Sequence, residues 1–437
     1  MINTEFTALG LSSVLCRALT ELDYTQPTPI QQQAIPELIA GSDLLGIAQT
    51  GTGKTAAFTL PILEMLLRDG VRADTKRPKV LILSPTRELA AQIRDEIAGY
   101  GRYTELRHAC IFGGVGQNPQ VKTLAKGVEI LVATPGRLLD LVQNGFVHLD
   151  EVSHLVLDEA DRLLDMGFIR DVKKIIGRLP RQRQSLLFSA TMPKEVADLA
   201  SEILRRPVRI DVSPKVVAVA KIEQRVVHID NADKPAALQQ LLLDPDVSRA
   251  IVFTRTKHGA NRVAKKLDRA GILAEAIHGN KSQAARTRAL DGFKSGKIWV
   301  LVATDIAARG IDVDGVSHVI NFELPHEPES YVHRIGRTAR AGASGVAWSL
   351  VDSSEVKRLR AVEKLTKLKI PTLEKTLDLQ AFTDQSAVDQ VAMSENRPRT
   401  SNTANSDRKQ VGGQDSQEMG GNRPGRRRRR SRKRRVA

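Results

Sequence analysis

The chain is 437 residues long, 41% hydrophobic and 27% charged, which suits a soluble protein with room for about three domains. No apolar run nears the ~18 residues of a membrane span, and two cysteines exclude a disulfide framework or Cys-rich zinc site, so a reducing, cytoplasmic setting is expected. The net charge is +16, and ten basic residues crowd the last fifteen, RPGRRRRRSRKRRVA, which points to a polyanionic partner such as nucleic acid.

The opening MINTEFTALG lacks the basic-then-apolar layout of a secretion signal. Gln31-Gln32-Gln33 then starts a polar helix, and a glutamine amide can both donate to and accept from one edge of an adenine. The run DLLGIA (43–48) reads as a buried strand leading into AQTGTGKT (48–55) and a helical pattern. Glycines there let backbone N–H groups wrap a phosphate, with Lys54 reaching the β and γ phosphates and the Thr55 hydroxyl taking Mg²⁺. Ala48 stands where such loops usually begin with glycine. Apolar runs follow at VLILS (80–84), EILVAT (129–134), HLVLDE (154–159) and SLLFSA (185–190). Thr86, Arg87, Thr134 and Arg137 follow strand ends, where hydroxyls, guanidinium groups and helix N-termini can grip phosphates. Asp158-Glu159-Ala160-Asp161 ends the strand HLVL: Asp158 can hold Mg²⁺, and Glu159 can orient or deprotonate an attacking water. Ser189 and Thr191 offer hydroxyls that could pass on the nucleotide's state through Asp161.

A second set of runs, AIVFT (250–254), AEAIH (274–278), WVLVAT (299–304), HVIN (318–321) and GVAWSLV (345–351), repeats the first. ILVATPGR (130–137) parallels VLVATDIAAR (300–309), and LILSPTREL (81–89) parallels IVFTRTKHG (251–259). Continuous apolar runs separated by helix-length segments are buried parallel strands, so the fold class is α/β, doubly wound, in two copies that form a cleft. DVSPKVVAVAKIEQ (211–224) is the expected linker. In HRIGRTAR, read as helical, Arg337 and Arg340 share a face and can reach a γ phosphate across the cleft. Asp352 and Glu355 form an expected capping box for an amphipathic helix running to about Lys369, with Val356, Leu359, Val362, Leu365 and Leu368 at helical spacing and Pro371 marking its end. From about Asp384 the polar composition predicts a disordered tail.

Taken together these residues resemble a DEAD-box ATP-dependent RNA helicase, with DEAD itself at 158–161 and matching motifs from Phe6 to Gly342. The resemblance implies two tandem RecA-like domains, 35–210 and 225–370, preceded by a Q-motif segment, 1–34, and followed by an Arg-rich tail, 371–437. It implies ATP and Mg²⁺ as cofactors, with Phe6, Tyr24, Pro29 and Gln31 at the adenine. Ala48, Gln49, Thr50, Gly51, Thr52, Gly53, Lys54 and Thr55 would surround the phosphates, Thr55 and Asp158 the metal, and Asp312 the ribose. Lys54, Asp158, Glu159, Arg337 and Arg340 would be catalytic. Pro85, Thr86, Arg87, Gly113, Gly114, Thr134, Gly136 and Arg137 in the first domain would contact RNA, as would Thr254, Arg255, Thr304 and Arg309 in the second. Ser189, Thr191, Asp161 and His333 would couple the two ligands. FGGVGQNPQ (112–120), TRTKHGAN (254–261) and AIHGNKSQ (276–283) look most like the bacterial RhlE-type branch, and Ala339 stands where many members have glycine.

The implied activity is RNA-stimulated ATP hydrolysis coupled to local unwinding of short duplexes or remodelling of RNA–protein complexes. A monomer acting in ribosome assembly or RNA turnover, with ribosomal particles or RNA-decay machinery as partners, is expected. With 2 Trp, 4 Tyr and 10 Phe, contacts to phosphate and sugar are favoured over base stacking. Intact Lys54, Glu159, Arg337 and Arg340 disfavour a non-hydrolysing, ATP-gated clamp, while composition alone does not separate RNA from DNA. A GTPase would carry an acid where Gln283 follows Asn280-Lys281-Ser282, and the nearest text to a transporter signature, QVGGQ (410–414), lies in the tail.

Overall fold

Runs of Val, Ile, Leu and Ala with no charge to solvate can be buried on both faces only inside a sheet covered by helices, and this decides the architecture. The computed structural model describes residues 4–48, 51–70, 72–212, 222–308, 313, 315–339 and 344–373. Seven parallel strands, β1 (Leu44–Ile47), β2 (Val80–Leu83), β3 (His108–Ile111), β4 (Ile130–Ala133), β5 (His154–Leu157), β6 (Gln184–Ser189) and β7 (Val208–Asp211), form one sheet in the order β3-β4-β2-β5-β6-β1-β7. Six more, β8 (Ile222–His228), β9 (Ala250–Phe253), β10 (Ala274–Ile277), β11 (Val300–Ala303), β12 (His318–Asn321) and β13 (Gly345–Val351), form a second parallel sheet in the order β10-β11-β9-β12-β13-β8. Each sheet is cored on both faces: Phe58 and Ile93 lie among the side chains on one face of the first, Leu138 and Val196 among those on the other.

Every apolar run named above is a strand. The strands without such a run, β3, β7 and β8, all lie at sheet edges. An edge strand is half solvated, so its residues alternate, as in the buried-exposed-buried start of β8. The expected linker is therefore shorter than 211–224, because Asp211 belongs to β7 and Ile222–Gln224 to β8; residues 213–221 lie outside the described residues.

The C-terminal helix also differs from expectation. Asp352 accepts from the Ser354 amide (2.9 Å) and opens a 3₁₀ turn, Ser353–Glu355. Glu355 is no cap partner: it is fully buried, pairs with the buried Lys234 and accepts from the Leu324 amide (3.0 Å). The α-helix runs Val356–Thr366, and Lys367 in the left-handed region (φ 55°) ends it short of Lys369. Leu359 and Val362 are buried, while Leu365 and Leu368 are exposed. Pro371–Leu373, assigned by sequence to the tail, instead pairs along β8 through Val226, whose amide donates to the Pro371 carbonyl (2.9 Å) and whose carbonyl accepts from Leu373 (2.8 Å). The rest of the tail, including its Arg-rich end, lies outside the described residues. Among the described residues no helix is long and apolar enough to cross a membrane.

Candidate nucleotide and RNA sites

All strands of a sheet run the same way, so the loops after β1, β2, β4, β5 and β6 gather at one end, and the predicted residues gather with them. After β1 the chain passes through Gly51, Thr52 and Gly53 into the helix Lys54–Asp69. Gly53 caps that helix at φ 89°, and a Cβ there would lie 2.5 Å from the Gln31 amide nitrogen, so glycine is required twice over. Lys54, only 6% exposed, extends into a cavity of about 210 Å³ that Thr55, Asp158 and Glu159 also line. Among the described residues its Nζ has no hydrogen-bond partner. A buried, unpartnered ammonium is costly alone and fits a phosphate group. Ala48 is fully buried in the core and is not part of the cavity wall, which is why its methyl is tolerated. Gln49 and Thr50 lie outside the described residues.

The adenine segment is arranged differently from its sequence reading. Thr28 precedes the helix Pro29–Ile39, which starts on the exposed Pro29, and the Thr28 amide donates to Gln31 Oε1 (2.9 Å). Gln31 Nε2 donates to the Gly53 carbonyl (3.1 Å). Its amide therefore ties this segment to the phosphate loop, leaving one N–H and one lone pair for a base. Phe6 is fully buried behind Tyr24, ring centroids 6.4 Å apart. Tyr24 lines the cavity and bonds Tyr100 through their hydroxyls (2.8 Å), and Tyr100 donates to Glu96 (3.1 Å). Gln92 and Glu96, one helical turn apart on Arg87–Tyr100, also line the cavity and were missed.

After β5, Glu159 occupies the left-handed region at φ 52°, a disfavoured conformation for a glutamate, and caps the helix Ala160–Asp165. Burial pushes the Asp158 carboxyl above the ordinary range, and nearby Lys54 opposes this. Burial would raise Glu159 too, but Arg162, then Lys54 and Arg337, hold it below its ordinary value. Arg162 Nη1 donates to both Glu159 oxygens (2.8 and 2.7 Å). Three of the four residues named for coupling meet here: Asp161 Oδ2 accepts from the Thr191 amide and hydroxyl (2.9 Å each), and Ser189 Oγ accepts from the Asp161 amide (3.2 Å) and donates to the Thr191 carbonyl (2.7 Å). Thr55 and Asp158 on one cavity wall are the hydroxyl and carboxylate donors a hard cation takes, so the residues fit Mg²⁺.

A second cavity, about 450 Å³, is lined by Pro85, Thr86, Arg87, Gly113, Thr134, Gly136 and Arg137, seven of the eight residues predicted for RNA in the first domain. Gly114, the eighth, lies at φ 78°, where any Cβ would run into the Arg87 guanidinium. Glu88, Asp140, Met166 and Phe168 of the first domain and Gly279 and Arg286 of the second complete the wall. Arg286 Nη2 donates to Glu88 (2.8 Å), Gln283 Nε2 donates to Glu88 (3.1 Å), and Arg87 Nη1 donates to Gln283 Oε1 (3.3 Å). These interdomain contacts were missed. Gln283 and Arg286, three apart at the start of the helix Gln283–Lys294, share a face, which is the signal that could have exposed them.

Thr254 is fully buried, its hydroxyl donating to the Thr256 carbonyl (3.2 Å), and the Arg255 guanidinium is committed to Glu323 (3.0 Å). Thr304 is half-buried beyond β11; Arg309, Asp312 and Arg340 lie outside the described residues. The helical reading of HRIGRTAR is corrected for its described part: the helix Pro328–Ile335 stops at Gly336, and Arg337 follows in a turn rather than on a helix face. Arg337 is buried, and its Nε donates to the His333 carbonyl (3.3 Å). Arg334, unassigned by sequence, is 1% exposed and donates to both Asp305 oxygens (2.5 and 2.8 Å), to Asn321 (3.0 Å) and to the Glu323 carbonyl (2.6 Å). Ala339 sits at φ 55°, so its methyl is carried at some cost where glycine would have none.

A phosphate loop and acid pair on one parallel sheet, facing an arginine-bearing second sheet, define a two-domain RecA-like NTPase. The DEAD/DEAH box helicase family matches residues 28–199, and the helicase conserved C-terminal domain matches residues 233–342. The chain is 42% identical over 382 residues to the DEAD-box ATP-dependent RNA helicase CshA of Geobacillus kaustophilus, spanning 86% of this chain and 81% of that one. It is 42% identical over 380 residues to CshA of Bacillus subtilis, spanning 86% and 76%. S. cerevisiae Dbp5 bound to RNA and ADP BeF3 superposes with TM-score 0.76 at 32% identity, covering 84% of this chain and 95% of that one. The chain belongs to the DEAD-box ATP-dependent RNA helicases, enzymes that hydrolyse ATP and bind RNA.

Proposed function

We propose that this chain uses ATP to unwind short RNA duplexes and remodel RNA–protein complexes in ribosome assembly or RNA turnover, acting as a cytoplasmic monomer. The observation that carries the mechanism is the single cavity shared by Lys54, Thr55, Asp158 and Glu159, with Arg337 of the second domain near enough to act on Glu159. Lys54 binds the β and γ phosphates, Glu159 orients the attacking water and accepts its proton, and Arg337 stabilises charge on the transferred phosphoryl group. Thr55 and Asp158 would hold Mg²⁺, which neutralises phosphate charge. RNA lies against Thr86, Arg87, Thr134 and Arg137, held by phosphate and sugar contacts that read no sequence. Closure of the domains on both ligands bends one strand, and hydrolysis releases it.

The two sheets support two domains as read, with the limits moved so that Asp211 and Ile222 are the strand ends that bracket the linker. The RhlE-type branch rests on three short segments, whereas the relatives named above carry the CshA name. The net charge of +16 suits RNA-rich particles as targets. The testing measurement is the ATPase rate with RNA, with DNA of equal sequence and with neither, followed by crosslinking in cells. Stimulation by RNA alone supports the reading; equal stimulation by DNA, or none by either, overturns it.

A further inference from the structure

Lys54, Asp158 and Glu159 line one cavity and are all nearly inaccessible. A buried ammonium beside two buried carboxylates ordinarily collapses onto one of them, since each charge is costly unpaired. A lysine so paired must break that pair before it can bind a phosphate. Here the collapse has not happened. Among the described residues Lys54 Nζ has no hydrogen-bond partner. Asp158 Oδ1 accepts from the Glu159 amide (3.0 Å), and both Glu159 oxygens accept from Arg162. The side chains of Arg162 and Glu159 are 3% and 4% exposed, so the pair is dry.

We propose that Arg162 is a positioning residue that holds the Glu159 carboxylate away from Lys54 and so keeps Lys54 available to incoming nucleotide; this rests on the site reading above. The local fold builds the arrangement. Glu159 at φ 52° starts the helix Ala160–Asp165, and Arg162, three residues on, lies on its face one turn later. An arginine suits the task better than a lysine, because its guanidinium is always charged and its donors are fixed in a plane. Stability alone does not require this second cation, since Lys54 in the same cavity could neutralise the carboxylate.

The test measures affinity of the full-length protein for a fluorescent, non-hydrolysable ATP analogue. In Arg162→Met, Glu159 should turn to Lys54 and affinity should fall at least about tenfold, the scale of one charge-assisted hydrogen bond. Arg162→Lys should recover most of it. The double variant Arg162→Met/Glu159→Gln should bind as tightly as Glu159→Gln alone, because a neutral amide no longer competes for Lys54. A merely structural arginine gives the opposite result: the double variant binds as weakly as Arg162→Met, and this outcome overturns the proposal. Wild-type affinity in Arg162→Met overturns it too. The double variant leaves no buried anion orphaned, so its comparison with Glu159→Gln decides the matter even if Arg162→Met does not fold. Lys54→Ala separates the two levels: if it binds the analogue like wild type the site reading itself fails, whereas loss there with normal binding in Arg162→Met sinks only this inference.

Discussion

The two sheets are one scaffold used twice. Leaving out the outer strand β7, the orders β3-β4-β2-β5-β6-β1 and β10-β11-β9-β12-β13-β8 correspond strand for strand. The correspondence reaches single residues: Thr86 after β2 caps the next helix by accepting from the Leu89 amide (3.2 Å), and Thr256 after β9 does the same for Gly259 (2.9 Å). The domains differ where chemistry is needed. β1 runs into the glycine-rich phosphate loop, whereas its counterpart β8 runs into Ile229, Asp230 and Asn231. β5 ends in Asp158 and Glu159, whereas β12 ends in Phe322 and Glu323, with Glu323 spent on Arg255. Function thus lies in strand-end loops that can change without disturbing the sheet beneath them.

The largest expected effect tests that asymmetry. Lys54→Ala should lower the RNA-stimulated ATPase rate by roughly 10³-fold, since a preorganised charge on the phosphates is lost. Arg337→Ala, from the opposite domain, should cost at least as much if it acts as an arginine finger. Asn231→Ala, after the strand equivalent to β1, should leave the rate unchanged. Steady-state hydrolysis at saturating RNA and ATP measures all three, and a large loss in Asn231→Ala would break the comparison.

Next comes a loss of stability confined to the second domain. Arg334→Met removes the donor to Asp305, Asn321 and the Glu323 carbonyl in one step, leaving the fully buried Asn321 oxygen without this donor. A cost of about 3–5 kcal/mol is expected for breaking a buried ion pair from one side. Calorimetry should show the second domain melting earlier while the first is unmoved; a single unshifted transition would show that Arg334 is not holding this domain.

Arg334 also marks where sequence reasoning stopped. Central strands were legible because burial on both faces writes an unbroken apolar run, whereas of the four edge strands only β10 was read and β3, β7 and β8 were not, because alternation dilutes the signal. Residues on strand-end loops were legible because composition and spacing there are unusual: Lys54 after glycines, Asp158 and Glu159 after HLVL. Arg162, Arg334 and Glu88 carry no such local mark. Their partners come from a turn away or from another element, and a charged residue in a helical stretch looks like solvated surface until the fold buries it. Gln31 shows the converse: its importance was visible, but its hydrogen bond to the Gly53 carbonyl was not.

The interdomain contact offers a smaller, sharper measurement. Glu88→Gln and Arg286→Gln should each weaken RNA binding in the presence of a non-hydrolysable ATP analogue by about 1–2 kcal/mol, the scale of a buried charged hydrogen bond. The double variant should be little worse than either alone, giving a coupling energy within the range seen for contacting pairs. Strictly additive effects would mean that the 2.8 Å contact between these residues does not contribute to RNA-bound closure.

The smallest expected effect uses the paired helix caps. Thr86→Ala and Thr256→Ala each remove one side-chain acceptor from a helix N-terminus, which costs about 1 kcal/mol in the domain concerned. Amide exchange at Leu89 and Gly259, the two capped N–H groups, should quicken to a similar degree, because backbone angles and cap geometry match at the two sites. RNA affinity should not follow the same symmetry. Thr86 is buried against the cavity that Arg87, Thr134 and Arg137 line, whereas Thr256 is exposed. Only Thr86→Ala should weaken RNA binding beyond the stability loss, by a few-fold at fixed salt, as expected for a lost hydroxyl contact to phosphate. Equal RNA affinities in the two variants would mean that the repeated threonines serve only the helices, and that the first-domain track begins at Arg87.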